Sequence, residues 1–208
     1  MAVEYVELHC HSYYSFLDGA SPPETLVARA AALGYPALAL TDHDGLYGAV
    51  EFWRAARERG VRPVIGAGVT LTGGEHLILL AENQRGYANL SRLISEGQLN
   101  GQKGQPRLSL ETVARHAGGL LGLSGCRRGA VAAALLAGDQ AAARRAAADL
   151  RDIFSPGRLW IELQRHYLPT ETGRREPDPC RGDGRPGSEA GAAVGTGRAA
   201  LSGGGIGH

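Results

Sequence analysis

Two histidines stand two positions apart at the close of an apolar run in "LHCHSYYSFLDG", residues 8–19, and a carboxylate, Asp18, follows shortly after. In an extended strand residues i and i+2 project to the same face, so His9 and His11 point together and Cys10 points the opposite way. Every ring nitrogen needs a partner, which makes paired imidazoles costly in a dry core and well suited to a cation. On this stretch alone, a metal site and a pair of hydrogen-bonded structural histidines both stay open. The same residue types recur downstream. "ALALTDHDG" sets Asp42, His43 and Asp44 at the end of another apolar run, His76 opens "HLILLA", and Cys126 closes "GLLGLSGC". Imidazoles and carboxylates suit Zn, Mn or Fe, and Zn tolerates a lone thiolate among them. Sets of such ligands commonly hold two or more ions, which can clamp the attacking and leaving oxygens of a phosphate ester.

Each of these residues also has a plainer role. Asp42 and Asp44 are read as orienting His43 through hydrogen bonds, or as capping the helix that begins near Leu46, ahead of direct ligation. Cys126, taken alone, reads as a small buried hydrophobe. His116 reads as a surface or capping histidine. His166, in "ELQRHYLP", follows the last apolar run and could reach the same place as the others. His76 is the awkward member, because it precedes its run where the others follow theirs.

These side chains must be positioned by the elements around them. Strand candidates are Val3–Leu8, Ala37–Thr41, Pro63–Leu71, His76–Ala81, Leu120–Ser124 and Leu159–Leu163. Helical spacing fills the gaps at 21–34, 46–60, 86–98, 109–116 and 139–154. The first helix offers Ser21 as N-cap, Glu24 at the capping-box position and Gly34 as the stop, and the last offers Asp139 as N-cap. Alternation of strand and helix argues for a parallel sheet or barrel, and continuous apolar runs suit strands covered on both faces. In a βα barrel the loops after the strands share one rim, where catalytic side chains gather.

Bulk properties exclude several classes of function. The 208 residues suffice for one domain with a real core, or for one domain and an appendage. A formal charge of +1 gives no global field and no strong nucleic-acid patch. The longest apolar runs are near strand length, so no membrane span is expected, and "MAVEYVELH" lacks the regions of a signal peptide. Cys10, Cys126 and Cys180 are odd in number and widely spaced, which fits a reducing cytoplasm and not a disulfide framework. Residues 171–208 hold 11 glycines and only three large aliphatics, Val194, Leu201 and Ile206, so a disordered Gly/Arg/Ala-rich tail is expected over 173–208. A flexible linker explains such text; so does out-of-frame reading of GC-rich codons, and a frameshift is the sharper expectation.

Together "HCHSYYSFLDGA", "ALTDHDGLYGAVEF" and "HLILLAENQRGYANLSRLIS" resemble the PHP (polymerase and histidinol phosphatase) domain. "LSGCRRG" and "IELQRHYLPTE" narrow the resemblance to the N-terminal PHP domain of bacterial DNA polymerase III alpha subunits, in the error-prone branch. The resemblance implies an α/β fold, a distorted (βα)7-type barrel with metal ligands around one end, over residues 1–172. It implies divalent metal ions, Zn or Mn, and phosphoester hydrolysis, which in some polymerases is 3′–5′ exonuclease chemistry. By motif position it assigns ligand roles to His9, His11, Asp18, His43, His76 and Cys126, and so moves Cys126 from core to ligand and accounts for His76.

Two departures qualify what is implied. After "GA" in "PVIGAGVTL" the family usually carries a metal-bridging Glu, and here Gly68 stands. The family's closing Asp-x-His on a seventh strand is absent, so the barrel is expected to be truncated after about six strands and its metal ions held at reduced occupancy. The expected function is that of an N-terminal fragment of an error-prone DNA polymerase, with DNA and the remaining polymerase domains as partners and its own hydrolytic chemistry impaired. The palm carboxylates of a polymerase are not in this chain. The alternatives are a free-standing PHP phosphatase acting on small esters such as histidinol phosphate, and an inert fragment of a broken polymerase gene.

Overall fold

The structure, a computed structural model, describes residues 5–102, 104 and 106–164. Val3 and Glu4 of the first strand candidate, the boundary at residue 172, the 173–208 tail, Cys180 and His166 lie outside them. The described chain runs α1 (Pro23–Ala32), β1 (Ala37–Leu40), α2 (Ala49–Glu58), β2 (Arg62–Thr70), β3 (His76–Ala81), α3 (Gln84–Asn100), α4 (Leu110–His116), β4 (Leu120–Leu123), α5 (Ala130–Leu136), α6 (Gln140–Ile153) and β5 (Leu159–Trp160). The α/β class is as the sequence implies.

The strands form one sheet in chain order, β1 to β5, but it is mixed and not parallel. β1–β2 and β4–β5 pair parallel, whereas β3 runs antiparallel to both neighbours. The reversal has a local cause. Only "LTGGE", residues 71–75, separates β2 from β3, too short for a crossover helix, and Gly74 takes φ +88° to close the hairpin. The expected first strand reduces to one parallel bridge, Glu7 to Leu38, prolonged by Ala39 N–H to Glu7 O and Thr41 N–H to Cys10 O.

Alternate residues of the strands serve two cores. Val27, Leu38, Leu40 and Phe52 pack α1 and α2 on one part of the outer face. Val69, Leu77, Leu79, Leu90, Val113 and Leu150 pack α3, α4 and α6 on the rest. On the inner face Leu8, Ala39, Val64, Ile78, Leu80, Leu121, Leu123 and Trp160 form a single cluster drawn from the first segment and from all five strands. His9, from the first segment, lies 2.6 Å from Glu162, beyond β5, so the sheet curls as a barrel does.

Two helix ends differ from the sequence reading. Pro22, not Ser21, is the N-cap of α1, with no side-chain cap bond because the proline ring carries no acceptor, and Pro23 in the first turn removes one N–H. Helix α5 was not anticipated: its seven residues lie between Gly129 and Gly138 without a side-chain cap. Asp139 caps α6 as read, accepting from Ala142 N–H at 2.8 Å.

Candidate metal centre

Register brings the polar residues to one rim. Beyond β1 the pairing with β2 continues as the bridge His43 to Gly68, and Thr70 at the end of β2 faces His76 at the start of β3. Reversal of β3 therefore puts its first residue where the other strands have their last, which resolves the position of His76. Gly125 lies against His76 so closely that a Cβ there would stand 2.4 Å from the His76 carbonyl oxygen, and Cys126 follows in the same turn. Parallel pairing of β4 and β5 then carries Glu162 to this level, its N–H donating to Ser124 Oγ at 3.0 Å.

The two ends of the curled sheet meet here. His9, from the first segment, contacts Glu162, beyond β5, with Nδ1 to Oε1 at 2.6 Å, and both side chains are only 8% exposed. His9 Nε2 faces His11 Nε2 at 3.0 Å. The His11 ring stacks on His43 with centroids 4.3 Å apart, and His43 in turn meets the His76 ring edge to face at 5.2 Å. His43 Nε2 lies 2.7 Å from Asp18 Oδ2. One ligand atom each from His11, Asp18 and His43 all fall within 4.8 Å of one another, the one such group of three among the described residues. His9 and His76 adjoin this trio. Cys126 stands in the turn beside His76, its Sγ accepting Arg128 N–H at 3.5 Å.

Cys10 points away, as strand parity requires, into the core with Val27, Leu38 and Phe52. Burial pushes its thiol up to about 12, so it stays protonated.

Asp42 does not bond to the His43 ring. It is buried and accepts three hydrogen bonds, from Ser12 N–H, Ser12 Oγ and Ser15 Oγ, each at 2.7 Å. Its influence on His43 runs through Ser15, whose Oγ accepts the His43 N–H at 3.1 Å. Asp44 is held by Thr70, from its N–H at 2.7 Å and its hydroxyl at 2.8 Å. Neither caps α2, whose N-cap is Gly48 without a side-chain bond. His116 pairs with Glu96 at 3.0 Å on the α3–α4 face.

This network sets the tautomers, and with them the chemistry. The single Ser15 proton goes to Asp42, so toward His11 Nδ1, 3.3 Å away, Ser15 Oγ can only accept. His11 thus carries its proton on Nδ1. Burial, together with His9 and His43 alongside, lowers the His11 pKa to about 3, so at neutral pH its Nε2 is a bare lone pair. Glu162 likewise accepts from His9 Nδ1–H, which turns the His9 Nε2 toward His11. Two ring nitrogens then face each other across 3.0 Å, a spacing that either a proton or a cation between them would satisfy. Asp18 adds an anionic oxygen, its carboxyl held below the usual range first by the His43 hydrogen bond. Imidazole nitrogens turned inward, carboxylate oxygen beside them and second partners on the outer nitrogens form a donor set that fits a divalent ion such as Zn or Mn.

Gly68 belongs to the same site. Its neighbours Ala67 and Val69 point into the outer core, so position 68 points inward. A Cβ there would lie 3.5 Å from His43 Nδ1.

Comparison with known proteins bears on the family and the fold. The family model of the PHP domain matches residues 7–166. The error-prone DNA polymerase of Mycobacterium bovis is 50% identical over 185 residues, and that of Symbiobacterium thermophilum 44% identical over 189 residues. These alignments cover 83% and 81% of this chain, yet it spans only 17% of the length of either relative. Among solved structures, a protein assigned to the metal-dependent phosphoesterases from Bifidobacterium adolescentis superposes with a TM-score of 0.52 at 15% identity, covering 77% of each chain, which marks a shared fold.

Proposed function

The chain belongs to the PHP domain family, and from that premise we propose that it is the N-terminal PHP portion of an error-prone DNA polymerase, a metal-dependent phosphoesterase centre whose affinity for metal is reduced. The observation that carries the metal reading is the pair of inward Nε2 atoms 3.0 Å apart, each ring proton being drawn outward by Glu162 or Ser15. His9, His11, Asp18 and His43 would hold divalent ions, Zn or Mn, and His76 and Cys126 would extend the site along the rim. When bound, such ions supply positive charge to a phosphate ester and lower the pKa of water. The protein's own part is to keep the ligand nitrogens bare, to orient them through Glu162 and the Asp42–Ser15 pair, and to leave the Asp18 side open to solvent.

Reduced affinity is inferred from Gly68, which leaves empty the direction in which the family's usual Glu would enter beside His43. DNA and the downstream polymerase domains are the expected partners, and the cytoplasm the expected compartment. No helix among the described residues is long and apolar enough to cross a membrane. A free-standing small-ester phosphatase is favoured less, because the high-identity relatives named here are polymerases.

The test is calorimetric titration of the 208-residue chain with Mn2+ and Zn2+, alongside hydrolysis of p-nitrophenyl phosphate. Weak binding that disappears in His9→Ala is expected. Equal binding by wild type and His9→Ala would refute the metal centre. Tight stoichiometric binding with His9-dependent turnover would refute only the reduced affinity.

A further inference from the structure

A cavity of about 400 Å³ opens where the β2–β3 hairpin meets α4, α5 and α6, a volume within the range of small-molecule sites. Leu71, Leu77, Leu108 and Leu150 of the outer core form its apolar wall, so it opens on the face of the sheet turned away from His43 and Gly68. His76 and Ser124 line it as well. Small residues keep it open: Gly73 in the hairpin, Ala130 at the start of α5 and Ala146 in the middle of α6 stand where larger side chains would fill the space. Apart from His76, the titratable side chains in this lining are both carboxylates, Glu75 and Asp149. Glu75 is half-buried, and its carboxylate folds back over Gly73, where a Cβ would collide with it. The hairpin that carries it is fixed by Leu71 N–H to Glu75 O and Gly74 N–H to Leu71 O, each at 2.8 Å. Asp149 is exposed on α6. Among the described residues no ion pair joins Glu75 or Asp149, and no lysine or arginine lines the cavity.

We propose that this cavity binds an organic cation with an apolar body, its ammonium group taken by Glu75 and Asp149 and its hydrocarbon seated on Leu71, Leu108 and Leu150. Charge decides the class. An apolar wall alone would accept any hydrocarbon of suitable size, whereas two carboxylates with no basic partner disfavour an anion and favour an ammonium, each by the modest amount of a solvent-screened ion pair. Burial of the hydrocarbon supplies the affinity, and the carboxylates fix the orientation. The site is separate from the metal centre and stands whether or not that centre holds an ion.

The experiment uses the full chain in EDTA, labelled on its leucine methyl groups for nuclear magnetic resonance. It is titrated with phenethylamine and with 2-phenylethanol, which keeps the hydrocarbon and lacks the charge. Saturable methyl shifts at Leu71, Leu77, Leu108 and Leu150 are expected with both. The amine should bind about 10-fold tighter, two screened ion pairs at about 3-fold each. Glu75→Gln and Asp149→Asn should each weaken the amine about 3-fold, and the double variant should bind amine and alcohol alike. Glu58→Gln, at an exposed carboxylate on α2, should match wild type. Ala146→Phe fills the cavity and should abolish binding of both; Ala130→Leu takes its place if that variant does not fold, the remaining methyl signals reporting the fold. Phenethylamine that shifts none of these leucines, equal binding of amine and alcohol by wild type, or an amine preference that survives in the double variant would each overturn the proposal. Binding of N-acetyl-lysine amide as tight as that of phenethylamine would also overturn it, since the cavity would then take the lysine of a partner protein.

Discussion

Replacing Gly68 by Glu should restore metal affinity, and the structure allows the size of the effect to be worked out. Gly68 does not adopt a left-handed φ, so the backbone accepts an L side chain without strain. A Cβ would meet Ile78 Cδ1 at 3.2 Å, Thr41 O at 3.4 Å and His43 Nδ1 at 3.5 Å. Only the Ile78 contact is tight, and it involves the far end of a flexible side chain; shifting that rotamer costs on the order of 1 kcal/mol. Fewer accessible states for the unfolded chain offset part of this, by about 0.4–1 kcal/mol. Without metal the added carboxylate enters at a buried position beside His43, and stability should fall by about 1–3 kcal/mol. With metal it becomes a ligand, and at least a 10-fold gain in affinity, about 1.4 kcal/mol, is expected. The assay is thermal unfolding across a Mn2+ titration. At free metal 100 times Kd, binding to the native state adds about 2.7 kcal/mol, so the Tm of Gly68→Glu should climb well above its EDTA value while that of wild type rises less. Gly68→Ala serves as the control, keeping the Cβ and lacking the carboxylate, and should melt near wild type with unchanged metal affinity. A Gly68→Glu protein that folds in EDTA yet binds Mn2+ no better than Gly68→Ala would refute the placement of position 68 beside His43.

Three further outcomes follow from the hydrogen-bond network. Glu162→Gln replaces an obligate acceptor by a group that can donate to His9 Nδ1, so the ring proton should move to Nε2 and Mn2+ affinity should fall about 10-fold; nitrogen-15 spectra of the histidine rings and calorimetry check both, and an unchanged affinity would count against it. Asp42→Ala strips three bonds from a buried carboxylate and leaves the Ser12 and Ser15 hydroxyls without their acceptor, so urea unfolding should show a loss of about 3 kcal/mol, and one below about 1 kcal/mol would show the network to be dispensable. The His11 pKa is depressed to about 3 in the folded chain, below its unfolded value, so the unfolded chain takes up the proton first as pH falls. Stability should therefore decline from about pH 6.5 downward by about 1.4 kcal/mol per pH unit from this group, and His11→Asn should show a correspondingly shallower decline between pH 6.5 and 5.5.

Much of the site was legible because it depends on short-range periodicity. Strand parity separates His9 and His11 from Cys10, and "TDHDG" at the end of an apolar run places His43 on a rim without any tertiary information. What spacing alone could not supply was the sense of β3. Its reversal makes His76 a rim residue, and "LTGGE" between two apolar runs was the available signal of a hairpin. The spacing places Glu162 within a strand candidate, Leu159–Leu163; β5 ends at Trp160, and the Glu162 carboxylate reaches the rim. A charged residue inside an otherwise apolar run was itself the clue. Spacing assigns Asp42 to the neighbouring His43, yet its partners Ser12 and Ser15 lie about thirty residues earlier. Sequence adjacency favours the near histidine, whereas the buried carboxylate is satisfied by the segment that β1 pairing brings alongside.

The contact between His9 and Glu162 ties function to fold more closely than a rim of independent ligands would. The first segment and β5 are opposite ends of the curled sheet, held at this level by one buried imidazole–carboxylate pair and below it by apolar contacts such as those of Leu8 and Trp160. A cation between His9 and His11 would relieve the facing Nε2 lone pairs and strengthen the donation from His9 Nδ1 to Glu162, because a metal-bound imidazole is the better hydrogen-bond donor. Binding at the rim and closure of the sheet therefore reinforce one another. Burial disfavours a positive charge on His11, so that ring faces the gap as a neutral imidazole near neutrality. On the proposed reading, the polar closure that holds these sheet ends together would also be the device that orients the centre for a cation.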